Sequence, residues 1–389
     1  MRNRSIAWSA IGLGFISLLI SYFKFSRCAP GGWVTPDVYL QGCYTDITGL
    51  YNARGFTSNL WPYGSGNESL EYPVLSGLGI WLISLLSPDG PAGLAPFFRV
   101  NLLAIGAVYL VIAYYLYRSE KRNLFLFALS PAVISALFIN WDIWAIAPLV
   151  LAIFYLNRER YWLSGFFTSL SIFFKFFPVI YVIPIILLLN IRSRKAREFL
   201  GGLVITSLAI NLPFILTQFD GWLKFYLFNF DRGVDFGSIW YLYALKYGWI
   251  NNVNLIITPL VALLLVACYF RYRANLLGNI FLASVIFFTL NKVYSPQYVL
   301  WLTVIAVLYF PKTRSFYLLF TLWQGGELLY QIGIWRHILT VLNESGGIST
   351  NAYVAISGLR IMTLLALAGY AIYLLENDLI KGRRSKSNI

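Results

Sequence analysis

The sequence predicts an all-α, polytopic integral membrane protein, and three observations carry that prediction. Hydrophobic residues make up 59% of the 389 and charged residues only 12%, against about 25% in soluble proteins, so water is not the main solvent of this chain. Apolar runs of helical length recur from one end to the other, and no polar stretch between them is long enough for a separate soluble domain. The basic residues behind the net charge of +14 sit in short clusters between the runs, the pattern of cytoplasmic loops and not of a nucleic-acid-binding stripe.

Taken in order, the runs are 6–23, 95–117, 123–139, 141–156, 161–174, 177–191, 199–216, 252–270, 276–290, 297–310, 315–334 and 352–375. They thread about twelve spans through a single domain covering 1–389, although several fall short of the roughly 20 residues a straight crossing needs. Arg2 and Arg4 precede the first run, but no small-residue cleavage site follows Ile20, so that run reads as a retained helix. With the N-terminus inside, Arg2/Arg4, Arg118/Lys121/Arg122, Arg158/Arg160, Arg192/Arg194/Lys195/Arg197, Arg271/Arg273, Lys312/Arg314 and the basic tail 376–389 all fall on the cytoplasmic side. The run 70–87 breaks this alternation if it spans, so it is placed as an interfacial helix within a first external loop, 26–94, with Trp81 as its anchor. The other external loops are 217–251 and 335–351, and both termini are cytoplasmic.

This thread puts the unexplained polar residues on one face. They include Asp37, Asp46 and Glu71 of the first loop, Asn140-Trp141-Asp142, Lys175 in the middle of a run of phenylalanines, Asp231, Arg232 and Asp235 of the second loop, the turn 291–298, and Arg336-His337. Ionisable groups at membrane depth are costly and tend to line a cavity or pathway, so a polar cavity open to the non-cytoplasmic side is expected.

Six strings in order, CYTDITGLYNARG (43–55), EYPVLSG (71–77), NWDIWAIA (140–147), SIFFKFFP (171–178), SIWYLY (238–243) and NKVYSPQYVLWL (291–302), resemble glycosyltransferase family 87. That resemblance implies the GT-C architecture, a polyprenyl-phosphate-mannose donor, a glycolipid acceptor in the cell envelope, and a catalytic aspartate at Asp46. Residues 303–389 match the family in hydropathy alone.

Inverting transfer from such a donor needs a base for the acceptor hydroxyl, cations for the departing phosphate, and a grip on the sugar. Asp46 is the candidate base, against the plainer job of N-cap for a helix over 47–52. Asp37, in Thr35-Pro36-Asp37, reads chiefly as a helix start. Glu71, Arg54, Asp142, Trp141 and Tyr298 are the candidate substrate contacts, with the Trp141 indole on a sugar face. A purely structural reading competes for Glu71 as a cap and for Asp142 as a buried group satisfied by Asn140 or a neighbouring helix. Lys175, Lys292, His337 and Arg232 are the candidate phosphate ligands, against snorkelling for the lysines and an incidental role for the one histidine. No cofactor or zinc site is expected, while a divalent cation on Asp46 with Asp142 or Asp231 stays open. The nearest rivals are an arabinofuranosyltransferase and a lipid-linked-sugar transporter, the latter disfavoured because the two halves share no repeated motif. A structural envelope subunit would have no need of cavity charges.

Two pairings complete the expectations. Cys28 and Cys43 share the first external loop, where a disulfide persists. Glu327 and Arg360 lie at matching depths, roughly 10–12 Å below the outer surface at about 1.5 Å per residue, and are expected to form an ion pair. In the rival reading Arg360 faces the cavity and binds phosphate.

Overall fold

The computed structural model describes residues 2–64, 70–119, 124–250 and 252–387, with side chains described from residue 11 to residue 381. Lys121 and Arg122 lie outside the described residues, as do the side chains of Arg2, Arg4, Arg383, Arg384 and Lys386. Every regular element among the described residues is helical. After α1 (Arg2–Ser26) come three short helices, α2 (Asp37–Leu40), α3 (Asp46–Ala53) and α4 (Val74–Ser84). The chain continues through α5 (Leu94–Ser119), α6 (Leu124–Ala128), α7 (Pro131–Ala136), α8 (Asp142–Leu156), α9 (Tyr161–Phe174), α10 (Val182–Leu189) and α11 (Arg194–Thr217). It then forms α12 (Phe219–Asp231), α13 (Ile239–Tyr247), α14 (Asn254–Arg271), α15 (Leu276–Leu290), α16 (Tyr298–Tyr309), α17 (Arg314–Val341) and α18 (Thr350–Ser387).

Among the described residues five segments are long and apolar enough to cross a bilayer: Ile11–Gly31, Pro91–Ser119, Arg194–Thr217, Asn254–Arg271 and Thr350–Lys381. The chain is a polytopic membrane protein in this sense. The shorter apolar helices have a different cause. α8 and α16 are buried on nearly every side, so their continuous apolar sequence faces other helices and not lipid. α9 packs against α8 and α11, and α17 against α18. Gly165 and Gly202 let α9 and α11 touch backbone to backbone, since a Cβ on either would overlap the facing carbonyl of Phe199 or Trp162.

Three expectations change. The run 123–139 is two short helices, because Pro131 has no N–H to continue α6 and instead starts α7 behind Ser130. α17 runs on to Val341, so Arg336 and His337 are helical and not loop residues; nothing in Ile334–Val341 stops a helix. The tail from 376 is the continuation of α18 through Ser387. The long segment 26–94 carries the expected short helices, α2 to α4, and 217–251, expected as a loop, forms α12 and α13 as well.

Candidate active site

The first string folds so that its aspartate is spared from capping. Thr45 is the extended N-cap of α3, and its Oγ1 accepts from the Ile47 amide at 3.2 Å and donates to the Phe138 carbonyl at 2.6 Å. Asp46 is therefore the first helical residue, its amide tied to the Ile139 carbonyl at 2.8 Å and its carboxylate left for other work. Tyr44 Oη donates to Asp46 Oδ1 at 2.7 Å, and Asn140 Nδ2 donates to Oδ2 at 2.6 Å. Asn140 Nδ2 also donates to Tyr72 Oη at 2.7 Å, while its Oδ1 accepts the Trp141 amide at 2.5 Å. The side chain of Asp46 remains partly open. Burial raises its pKa above the ordinary carboxylate value, against the opposing pull of Tyr44, Asn140 and the Lys175 charge.

A second carboxylate stands close enough to be felt by the first. Asp142 opens α8 fully buried; Oδ2 accepts Lys175 Nζ at 2.9 Å and Oδ1 accepts Trp301 Nε1 at 2.7 Å. Lys175 is the extended C-cap that ends α9, and its ammonium lies over the Tyr72 ring at 5.4 Å. Burial works to lower the Lys175 pKa, but Asp142 and the Tyr72 and Tyr298 hydroxyls outweigh it and keep the ammonium charged. Its side chain is still 19% exposed, so one face is available to an anion.

The second loop supplies a further cation. Arg232 pairs with Asp235 and lies within electrostatic reach of Tyr298 and Tyr72, the hydroxyls that flank Lys175. Arg54 and Glu71 form a bidentate pair, Nε to Oε2 at 2.6 Å and Nη2 to Oε1 at 2.7 Å, next to Tyr72 at the rim. Together these side chains offer a partly open base beside a fixed ammonium and a guanidinium. Among the described residues no group of three or more His, Cys, Asp or Glu is arranged to hold a metal ion.

Other candidates do not converge here. Trp141 is packed inside the bundle with its indole donating to Asn101 Oδ1 at 2.6 Å, so it has no free ring face for a sugar. His337 is buried in an aromatic pocket, stacked on Tyr353 at 3.9 Å with Nε2 on Tyr241 Oη at 3.0 Å, which removes it from the phosphate set. Lys292 donates to the Phe230 carbonyl at 3.1 Å and lies within electrostatic reach of Arg232 and Asp231. Asn140 serves Asp46 and not Asp142, whose partners are Lys175 and Trp301. Tyr44, Tyr72 and Trp301 carry contacts that reading the sequence did not assign, although each stands inside one of the six strings. Asp37 begins α2. Cys28 and Cys43 are joined by a disulfide with Cα atoms 6.3 Å apart. Glu327 and Arg360 form a fully buried ion pair at 2.8 Å, so Arg360 does not face the cavity.

The fold and this cluster define a class: a helical membrane protein with an acid–base and cationic site built where short helices and turns close over its bundle. The family model described as Mannosyltransferase (PIG-M) matches residues 139–368, and the chain belongs to that family. The matched stretch carries Asn140, Asp142, Lys175, Arg232 and Tyr298 and leaves Asp46, Arg54 and Glu71 before it; the six strings, by contrast, resemble family 87. Among curated proteins, GPI mannosyltransferase 1 of Kluyveromyces lactis is 30% identical over 187 residues, 42% of this chain and 46% of that protein. GPI mannosyltransferase 1 of Saccharomyces cerevisiae is 27% identical over 218 residues, 48% of this chain and 52% of its own length. The Dictyostelium discoideum protein of the same name is 27% identical over 238 residues, 49% and 52%. The chain spans about half the length of the curated relatives it matches. No solved structure matches it.

Proposed function

We propose that this chain is an inverting mannosyltransferase that moves a mannosyl residue from a polyprenyl-phosphate donor to a glycolipid acceptor on the non-cytoplasmic face of the membrane. The sugar follows from the family, the acceptor class from relatives named for GPI, and the donor from the six strings and the cationic groups. Sidedness is read from the basic segments, which the sequence thread gathers on one side of the membrane.

The observation that carries the reading is Asp46, a partly open carboxylate freed from capping by Thr45 and held by two donors beside Lys175. Asp46 takes the proton of the acceptor hydroxyl as that oxygen bonds to the anomeric carbon. The bond from the anomeric carbon to the phosphate oxygen breaks, and its electron pair leaves on polyprenyl phosphate. Lys175 and Arg232 face that growing negative charge, a role that needs fixed cations and not flexible ones. Asp142 holds Lys175 in place, and Arg54 with Glu71 marks the acceptor side of the rim.

The test is transfer of radiolabelled mannose from synthetic polyprenyl-phosphate-mannose to a glycolipid fraction by the purified protein in detergent. Labelled glycolipid is expected with the wild type and not with Asp46→Asn. A folded wild-type protein that transfers nothing from this donor overturns the reading.

A further inference from the structure

Glu327 and Arg360 do more than neutralise each other. Arg360 Nη1 donates to the Tyr294 carbonyl at 2.8 Å and Nη2 to the Ser295 carbonyl at 3.1 Å, while Nε holds Glu327 Oε2 at 2.8 Å. The guanidinium lies between two rings, 3.4 Å from the centre of Tyr294 and 4.0 Å from that of Tyr330. Glu327 Oε1 accepts from Tyr294 Oη at 2.7 Å and Trp323 Nε1 at 3.2 Å. Backbone and side chain of one short turn are thus gripped from below.

Helix pairing alone does not require this arrangement, since a buried ion pair is often replaced by apolar residues without loss of stability. What only a guanidinium provides is a rigid fork across two consecutive carbonyls. Those carbonyls belong to the α15–α16 turn, three to four residues before Tyr298. The second loop is built on the same turn. The Asp235 amide donates to the Lys292 carbonyl at 2.8 Å. Gly237, at φ +79°, sits so close that a Cβ would overlap the Tyr330 hydroxyl and come within 2.7 Å of the Tyr294 carbonyl oxygen. Its amide donates to Tyr353 Oη at 3.0 Å, and Asp235 pairs with Arg232. Contacts therefore run without a gap from Arg360 to Tyr298 on one side and to Arg232 on the other.

We propose that the Glu327–Arg360 pair is a positioning device that fixes the 291–298 turn, and through it the 232–238 loop, so that Arg232 and Tyr298 stand beside Lys175 to receive a lipid phosphate. The lipid phosphate rests on the function proposed above; the positioning of the two segments does not.

Two variants test it in the full chain. Glu327→Gln with Arg360→Met removes both charges and leaves neither unpaired. Arg360→Lys keeps the ion pair, but one ammonium cannot span both carbonyls as the fork does. Hydrogen exchange of segments 232–238 and 291–298 is measured alongside titration with polyprenyl phosphate and donor kinetics. Both variants should melt cooperatively, with exchange at Asp235 and Gly237 faster by about tenfold, the worth of roughly one lost hydrogen bond. Polyprenyl phosphate should bind about tenfold more weakly, and the donor KM should rise more than kcat falls, as expected for mispositioned cations. Unchanged exchange in both segments overturns the proposal, and so does faster exchange with wild-type phosphate affinity. If the double variant does not fold, Arg360→Lys alone decides. If the wild type neither binds polyprenyl phosphate nor transfers mannose, the proposed function has failed and exchange alone decides the positioning.

Discussion

Asn140 Nδ2 reaches across 94 residues of sequence to Asp46 Oδ2 at 2.6 Å and holds Tyr72 Oη with the same nitrogen. One amide at the head of α8 thereby joins the three segments that form the acid–base side of the site. Its consequences are testable through Asp46.

Asp46→Asn keeps the size and polarity of the side chain and removes its basicity. Loss of a general base costs about 100- to 10,000-fold in rate, so mannosyl transfer should fall to background. Stability should move the other way. Burial raises the folded-state pKa of Asp46, so the folded protein holds the proton more tightly than the unfolded chain does. Stability is then lost as pH rises from the ordinary carboxylate range through the raised value. At neutral pH the asparagine variant should melt at or above the wild-type temperature in detergent. Wild-type turnover, or a clearly lower melting point, would sink this account of Asp46.

Tyr44→Phe removes one of the two donors to that carboxylate. The ring itself is kept in place between Tyr39 and Trp335, at 5.5 Å and 4.9 Å. With a hydrogen bond to the charged form gone, the Asp46 pKa rises further, and the acid limb of kcat/KM should shift to higher pH. A pH–rate profile that overlays the wild type would mean that Asp46 is not the titrating base.

The residues that were legible in the sequence share a property. Asp46, Asp142, Lys175 and Arg232 are charges that an apolar chain has no bland reason to keep, and the strings place the first three in order. The pairing of Glu327 with Arg360 was legible for the same reason, since two charges at one depth in consecutive helices have few other partners. Partner choice among neutral donors was not. Asn140 stands two residues from Asp142 yet serves Asp46, because the Asp46 amide docks on the Ile139 carbonyl and brings α3 to that spot. Thr45 and Asp46 are both good caps, and only backbone geometry assigns the cap to Thr45. His337 misled by position: drawn in a loop because Arg336 ends an apolar run, it lies on a helix that nothing had interrupted.

The disulfide between Cys28 and Cys43 closes a sequence separation of 15 and ties the end of α1 to the segment that delivers Tyr44 and Asp46. A loop of that size is worth about 3 kcal/mol in the chain-entropy model. Cys28→Ser with Cys43→Ser should therefore lower the melting temperature while retaining the helical content. In the native, unreduced protein, mass spectrometry after alkylation should find neither cysteine labelled. Cys268, which is free and buried, should label only on unfolding. Labelling of Cys28 and Cys43 before reduction would contradict the bond.

The Lys175–Asp142 pair makes the sharpest prediction because its members are unequally buried. Asp142 has no exposed side-chain surface, while Lys175 keeps 19% of its own. Lys175→Met strands a buried carboxylate whose remaining donor is Trp301 Nε1, and stranding a buried charge costs about 3–5 kcal/mol. Asp142→Asn instead leaves an ammonium that can turn toward water or lipid headgroups, at much smaller cost. The melting temperature in detergent should accordingly fall far more for Lys175→Met than for Asp142→Asn. Combining the two removes the stranded charge and should recover most of the lost stability. Transfer should stay absent in the combined variant, because the cation that faces the departing phosphate has not been restored. Equal destabilisation by the two single variants would show that the pair is not buried in this asymmetric way. Recovery of transfer along with stability would remove Lys175 from the phosphate site and leave Arg232 as its main cation.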